Sequence, residues 1–118
     1  MVETCEIGPL QVEMESSQLR FRFAAPDAMT LEIPMSLEEE LSSYLAEHEE
    51  RIAGSRLVID LQDLPAISSR QLGIMLTIRK VCQPVGPIEL EAVSEGVRYL
   101  LNLTKMAQYF NLPEAASD

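Results

Sequence analysis

The residues with the clearest capacity for chemistry lie in "AISSRQLGIML", Ala66 to Leu76, where two serines, an arginine and a glutamine interrupt an otherwise apolar passage. Ser68 and Gln71 stand at S-x-x-Q spacing, the signature of a capping box in which a hydroxyl accepts a hydrogen bond from the open amides of a first helical turn. That role is structural and contributes ~1 kcal/mol. One capping serine is enough, so Ser69 is left over. At about 100° per residue, Leu72, Ile74, Met75, Leu76, Ile78, Val81 and Cys82 gather into a wide apolar arc. The remaining arc carries Ser69, Gly73, Thr77 and Lys80, with Arg70 beside it. Either the two serines only start the helix, or the second opens a polar strip that another chain reads. Gly73 divides in the same way. A glycine inside a helix costs about 1 kcal/mol against alanine, and here it either fits a tight local contact or leaves a notch for an approaching backbone. A phosphate on Ser69 would add about −1.5 to −2 charge at the positive end of the helix dipole. Arg70 is placed to pair with it, and the new charge would disturb a partner resting on the strip.

Other chemistries find less support. His48 is the only histidine, and it falls on an apolar helical line, so packing at the core or its boundary explains it. The chain has no HxxxH, CxxC or glycine-rich phosphate loop. Asp60 and Asp63 follow a strand end, where carboxylates can bind metals, but turn formation accounts for them. Asp27 in "APDAM" reads as a turn residue for the same reason. Cys5 and Cys82 do not make a disulfide framework and read as free thiols in a reducing compartment. No catalytic residues, metal ligands or cofactor are therefore expected; an enzyme reading would have to rest on His48 or Asp60.

The totals narrow the partners. At 118 residues the chain fits one domain, residues 1–118, with a core over about 8–112. A formal net charge of −10 repels phosphate backbones and anionic lipid, so neither nucleic acid nor a membrane surface is an expected partner. A protein with a basic face fits better. No apolar run approaches the roughly 20 residues needed to span a bilayer, so membrane insertion is not expected. The start, "MVETCEIGPL", has neither the basic region nor the apolar run of a signal peptide, which points to the cytoplasm.

The elements that must position the strip follow from periodicity. "LQVEMESSQLRFRF" alternates on both sides of "ESSQ" and predicts a half-buried hairpin with Val12, Met14, Leu19, Phe21 and Phe23 inward. Pro26 and Pro34 allow a short extended piece between them. "SLEEELSSYLAEHEERIAG" predicts a helix that opens on a Ser36–Glu39 capping box, carries Leu37, Leu41, Tyr44, Leu45, His48 and Ile52 on one line, and stops at Gly54. Its glutamates read as a solvated face. "RLVID" suits a strand covered on both faces, as in a parallel sheet. Helix 69–82 follows, then a strand with Ile88, Leu90 and Ala92 on one side. "SEGVRYLLNLTKM" returns to helical spacing, "AQYFNL" adds an apolar tail piece, and "PEAASD" is expected to fray. The order β–β–(β)–α–β–α–β–α implies an α/β fold: a sheet with parallel pairs and right-handed crossovers, with helices over at least one face.

"RLVIDLQDLPAISSRQLGIMLTIRK" followed by "IELEAVSEGVRYLLNLTKMAQYF" resembles the STAS domain, named for sulfate transporters and anti-sigma factor antagonists. Asp60 matches the acid that ends the family's apolar strand, and Leu72–Gly73 match the L-G pair of its D-S-x-G-L-G helix start. Val97, Leu101 and Thr104 match its later helix pattern. The likeness covers Arg56 to Phe110 closely. It implies a mixed sheet with helices mainly on one face, and function by contact with a regulatory protein of the anti-sigma factor or serine kinase type. It also implies phosphorylation at the motif's hydroxyl, here Ser69 or its neighbour Ser68, and a partner surface over Ser69, Arg70, Gln71, Gly73 and Thr77. Other members serve as scaffolds in stress-signalling complexes or as accessories to transporters. This chain departs from the motif at Ser68, where the family has Asp, at Arg70, where it has a small or hydroxyl residue, and at Gln71, where it has glycine. The later T-G-L reads Thr104–Lys105–Met106.

Overall fold

Strict alternation builds the first half of a sheet. In the computed structural model, which describes residues 3–8, 10–15, 17–23, 36–62, 64 and 67–111, β2 (Leu10–Met14) and β3 (Gln18–Phe23) pair antiparallel with Val12 opposite Phe21 and Met14 opposite Leu19. Leu10, Val12, Met14, Leu19, Phe21 and Phe23 are all buried, as the period-two pattern requires. Ahead of this hairpin runs β1 (Glu3–Ile7), which the apolar pattern does not announce, because only Ile7 of "ETCEI" is buried. Backbone pairing recruits it: Ile7 lies opposite Leu10, and the chain reverses through Gly8 at a left-handed φ of 55°.

The second half of the sheet is parallel. β4 (Arg56–Asp60) lies beside β3 and β5 (Ile88–Glu91) beside β4, so the order across the sheet is β1-β2-β3-β4-β5. The connections are helical: α1 (Leu37–Glu47) and α2 (Glu49–Ile52) from β3 to β4, and α3 (Ser69–Cys82) from β4 to β5. Both crossovers step the same way across the sheet, and crossovers of one hand then place their helices on one face. Leu37, Leu41, Ile52, Ile74, Met75 and Ile78 accordingly join Leu57, Ile59, Ile88 and Leu90 in a single core. The opposite face carries Glu13, Arg20, Arg22, Glu89 and Glu91 along with the buried Val58. The protein is thus an α/β domain with a five-stranded mixed sheet and helices packed on one side.

After β5, α4 (Glu95–Leu103) buries Val97 and Leu101 and stops at Lys105, whose φ of 63° is left-handed. A 3-10 turn (Met106–Tyr109) and the buried Phe110 follow. Asn111 then lies along β5, donating its N–H to the Ile88 carbonyl and accepting from Leu90 N–H, each at 2.8 Å. Asn111, at the end of the described part of the tail piece, therefore covers part of the β5 edge.

The first helical region differs from its sequence pattern in two ways. It breaks at His48 (φ −116°, ψ 21°), where the Tyr44 carbonyl takes both the His48 N–H at 3.2 Å and the imidazole Nδ1 at 2.9 Å, and the ring packs on Tyr44 with centroids 4.4 Å apart. The Ser36–Glu39 capping box does not form. Ser36 (φ −92°, ψ 5°) lacks the extended geometry of a cap, and its hydroxyl donates to Glu40 at 3.2 Å. Gly54 ends the region as expected, at φ 81°. The readings at Pro26, Asp27, Pro34, Asp63 and "PEAASD" lie outside the described residues.

Candidate functional site

The two adjacent serines have different fates. Ser68 holds the extended geometry of an N-cap (φ −85°, ψ 168°), and both halves of its capping box are present. Its Oγ accepts from Gln71 N–H at 3.1 Å, while Gln71 Oε1 accepts from Ser68 N–H at 2.8 Å. Gln71 is only 6% exposed, so it braces the turn from within. Ser69, the first helical residue, and Arg70 after it are exposed. One and two turns further on come Gly73 and Thr77, both half-buried and joined by a 3.0 Å hydrogen bond from Thr77 Oγ1 to the Gly73 carbonyl. Lys80 follows, its ammonium 2.9 Å from Glu38 of α1. An exposed pair of this kind contributes little stability. Ser69, Arg70, Gly73 and Thr77 thus form the accessible strip, and Gln71 positions it.

The approach to this strip is anchored by Asp60, the last residue of β4 and 6% exposed. Oδ1 accepts from Gln62 N–H at 2.9 Å, which closes an Asx-type turn. Oδ2 accepts from Arg20 at 2.9 Å and faces Arg22 at 3.3 Å. The turn is tied down twice more. Leu61 N–H donates to the Glu91 carbonyl at 3.0 Å, and the Ser94 hydroxyl donates to the Leu64 carbonyl at 3.0 Å. Ser94 Oγ in turn accepts from Val97 N–H at 3.2 Å as the cap of α4, so the start of α4 is tied to Leu64.

Nothing in the local sequence pattern marks Arg20 and Arg22 as partners of Asp60. Arg20 also meets Glu91 at 2.8 Å, and Arg22 reaches Glu13 at 3.5 Å. Next to them Arg56 grips Glu89 through two bonds of 3.0 and 2.8 Å. Burial pulls the Arg20 pKa down, but the carboxylates of Glu91 and Asp60 outweigh it and hold the guanidinium above its ordinary value. Arg56 holds the Glu89 carboxyl below the usual carboxylate range by its hydrogen bonds. The signal was available in "LRFRF" and "IELE", whose alternation assigns the charged residues to one face. It becomes legible only when β3, β4 and β5 are known to be neighbours.

The remaining candidates are separate. His48 is half-buried and held by Tyr44, and Cys82 is 1% exposed, its thiol pushed up to about 12 by burial. Cys5 is exposed on β1. Among the described residues no group of three or more His, Cys, Asp or Glu is placed to hold a metal ion, and no helix is long and apolar enough to cross a membrane. No protein-family model matches the chain, and no curated protein is significantly similar to it.

Proposed function

We propose that this protein is a regulatory binding module of the STAS type, similar in action to an anti-sigma factor antagonist. It works by contact rather than turnover, in the cytoplasm, on a partner of the anti-sigma factor or serine kinase class. The division of labour between Ser68 and Ser69 carries this reading: one hydroxyl is consumed by the cap, while the next stands exposed at the head of the strip. Two further observations support the resemblance. Asp60, at the position of the family's strand-end acid, is buried and hydrogen-bonded. Lys105, where the family's later motif has glycine, adopts the left-handed backbone that glycine takes without strain.

Phosphorylation of Ser69 is the switch in this reading. The added charge sits favourably at the start of α3 yet brings a bulky dianion into the centre of the contact. Ser69→Asp should therefore weaken partner binding far more than Ser69→Ala, measured by titration with the protein that co-purifies from the native cell. Equal affinities would remove the switch. Intact-mass measurement should show one phosphate on the wild type and none on Ser69→Ala.

A second reading is favoured by Arg70, exposed beside Ser69 where the family has a small or hydroxyl residue. In that reading the strip docks a partner constitutively, as in a scaffold or an accessory subunit of a transporter or stress-signalling complex. Identification of the co-purifying proteins separates the two.

A further inference from the structure

Strand β1 ends the sheet, and among the described residues it pairs with β2 alone. Its other edge offers alternating N–H and C=O groups to whatever lies beside it. Glu3, Thr4, Cys5 and Glu6 are all exposed. Beside this edge runs a groove of about 380 Å³ between β1 and α1, with Cys5 and Ile7 contributed by the strand and Tyr44 by the helix. Its helical wall bears Glu39, Glu40 and Glu47, together with Ser43 and the preceding Ser36. Arg51 of α2 pairs with Glu3 at the start of β1, which ties that end of the strand to the helical layer.

We propose that the outer edge of β1, unpaired among the described residues, is together with the groove between β1 and α1 a strand-addition site for an extended, basic peptide segment of a protein partner. An incoming strand beside β1 would extend the sheet through main-chain hydrogen bonds. Alternate side chains of that strand would point to the helical side of the sheet. Long basic ones there lay their aliphatic stems against Ile7 and Tyr44 and carry their charged ends to Glu39, Glu40 and Glu47, while the residues between them face the other side of the sheet. The occupant is set by charge. A second copy of this chain would set Glu3 and Glu6 of its own β1 beside the same acids here, in a molecule of net charge −10. The acidic edge thus discourages self-pairing and favours a lysine- or arginine-rich strand. This surface lies on β1 and α1 and does not depend on the strip at the start of α3.

The test is fluorescence anisotropy of the full chain with a labelled peptide of about seven residues alternating lysine and valine. Binding should be saturable and weaken as salt rises from about 0.05 to 0.5 M. The combined variant Glu39→Lys, Glu40→Lys, Glu47→Lys should lower affinity about tenfold or more. Two further peptides isolate the main-chain component, one N-methylated at every lysine and one at every valine. In an extended strand these two sets of amides point to opposite edges. Only one series should lose binding. Equal behaviour of the two, whether both bind or both fail, overturns strand addition, as does failure of the unmodified peptide to bind. A monomer–dimer equilibrium in sedimentation that Thr4→Pro or Cys5→Pro abolishes would assign the edge to a second copy and also overturn the proposal. Ser69→Asp should leave peptide affinity unchanged, so a failure here is distinguishable from a failure of the α3 reading.

Discussion

The starts of α1 and α3 carry nearly the same local code and adopt different structures. Ser36-Leu-Glu-Glu39 and Ser68-Ser-Arg-Gln71 both satisfy the capping-box spacing, yet only the second closes the box. α1 also carries three acids in its first turn, Glu38, Glu39 and Glu40, which favour that end of a helix dipole, whereas α3 has none there. Electrostatics alone would therefore favour the start that lacks the box. The difference is in the backbone of the cap. Ser68 approaches with ψ 168°, which swings its hydroxyl beneath the Gln71 amide, while Ser36 at ψ 5° is already half-helical. A capping motif requires a chain that arrives extended, and upstream of α3 the residues Asp60, Leu61 and Leu64 are held by β3, β5 and α4.

The largest effect that should bear on this contrast is Asp60→Ala. It strips the turn of its Gln62 hydrogen bond and leaves Arg20 and Arg22 without the carboxylate they share. Breaking a buried pair costs about 3–5 kcal/mol; because Arg22 is 40% exposed, a loss of about 2–4 kcal/mol is expected in urea unfolding. Asp60→Asn keeps an acceptor for Gln62 and should lose less. If Asp60→Ala unfolds at the wild-type midpoint, the anchoring account is wrong.

Direct comparison of the two caps comes next in size. Ser68→Ala should cost ~1 kcal/mol, and Ser36→Ala no more than about 0.5 kcal/mol. Glu39→Gln makes the α1 code match that of α3 more closely and should change stability by less than about 0.5 kcal/mol. A gain of a full cap's worth would mean that residue identity, not chain direction, decides.

The smallest effect uses the thiols. Cys82 closes α3 and is buried, whereas Cys5 is exposed, so a thiol reagent should label one site per native chain promptly. Ser68→Ala should speed labelling of Cys82 if the cap seats the helix, and Ser36→Ala should not. The same thiol has a pH signature. Its folded pKa is raised by burial from 9.0 to about 12, so the folded state keeps a proton that the unfolded chain releases. The stability it contributes is complete below pH 9.0 and declines up to about pH 12, a slope that Cys82→Ala should remove.

Period two in "LQVEM" and "QLRFRF", and period 3.6 in "SRQLGIMLTIRKVC", specified the hairpin, the α/β order and the inward faces of both elements. These are nearest-neighbour properties, written into the spacing of apolar residues whatever the rest of the chain does. The S-x-x-Q spacing likewise separated the capping Ser68 from the outward Ser69. Strand β1 was not legible because an edge strand needs a backbone partner more than an apolar face, and "ETCEI" supplies only Ile7 to the core. The break at His48 was not legible because the apolar spacing runs on through it to Ile52, while the backbone itself turns out of the helix there. Sheet order was the decisive missing quantity. Once β3, β4 and β5 are adjacent, Arg20, Asp60 and Glu91 come together from sites 31 to 71 residues apart, and Asp60 changes from a turn residue into the anchor of the strip. Local pattern determined which residues turn inward and where each helix starts. Tertiary pairing decided which charges meet and which start is held extended, because both depend on contacts between segments that spacing along the chain does not encode.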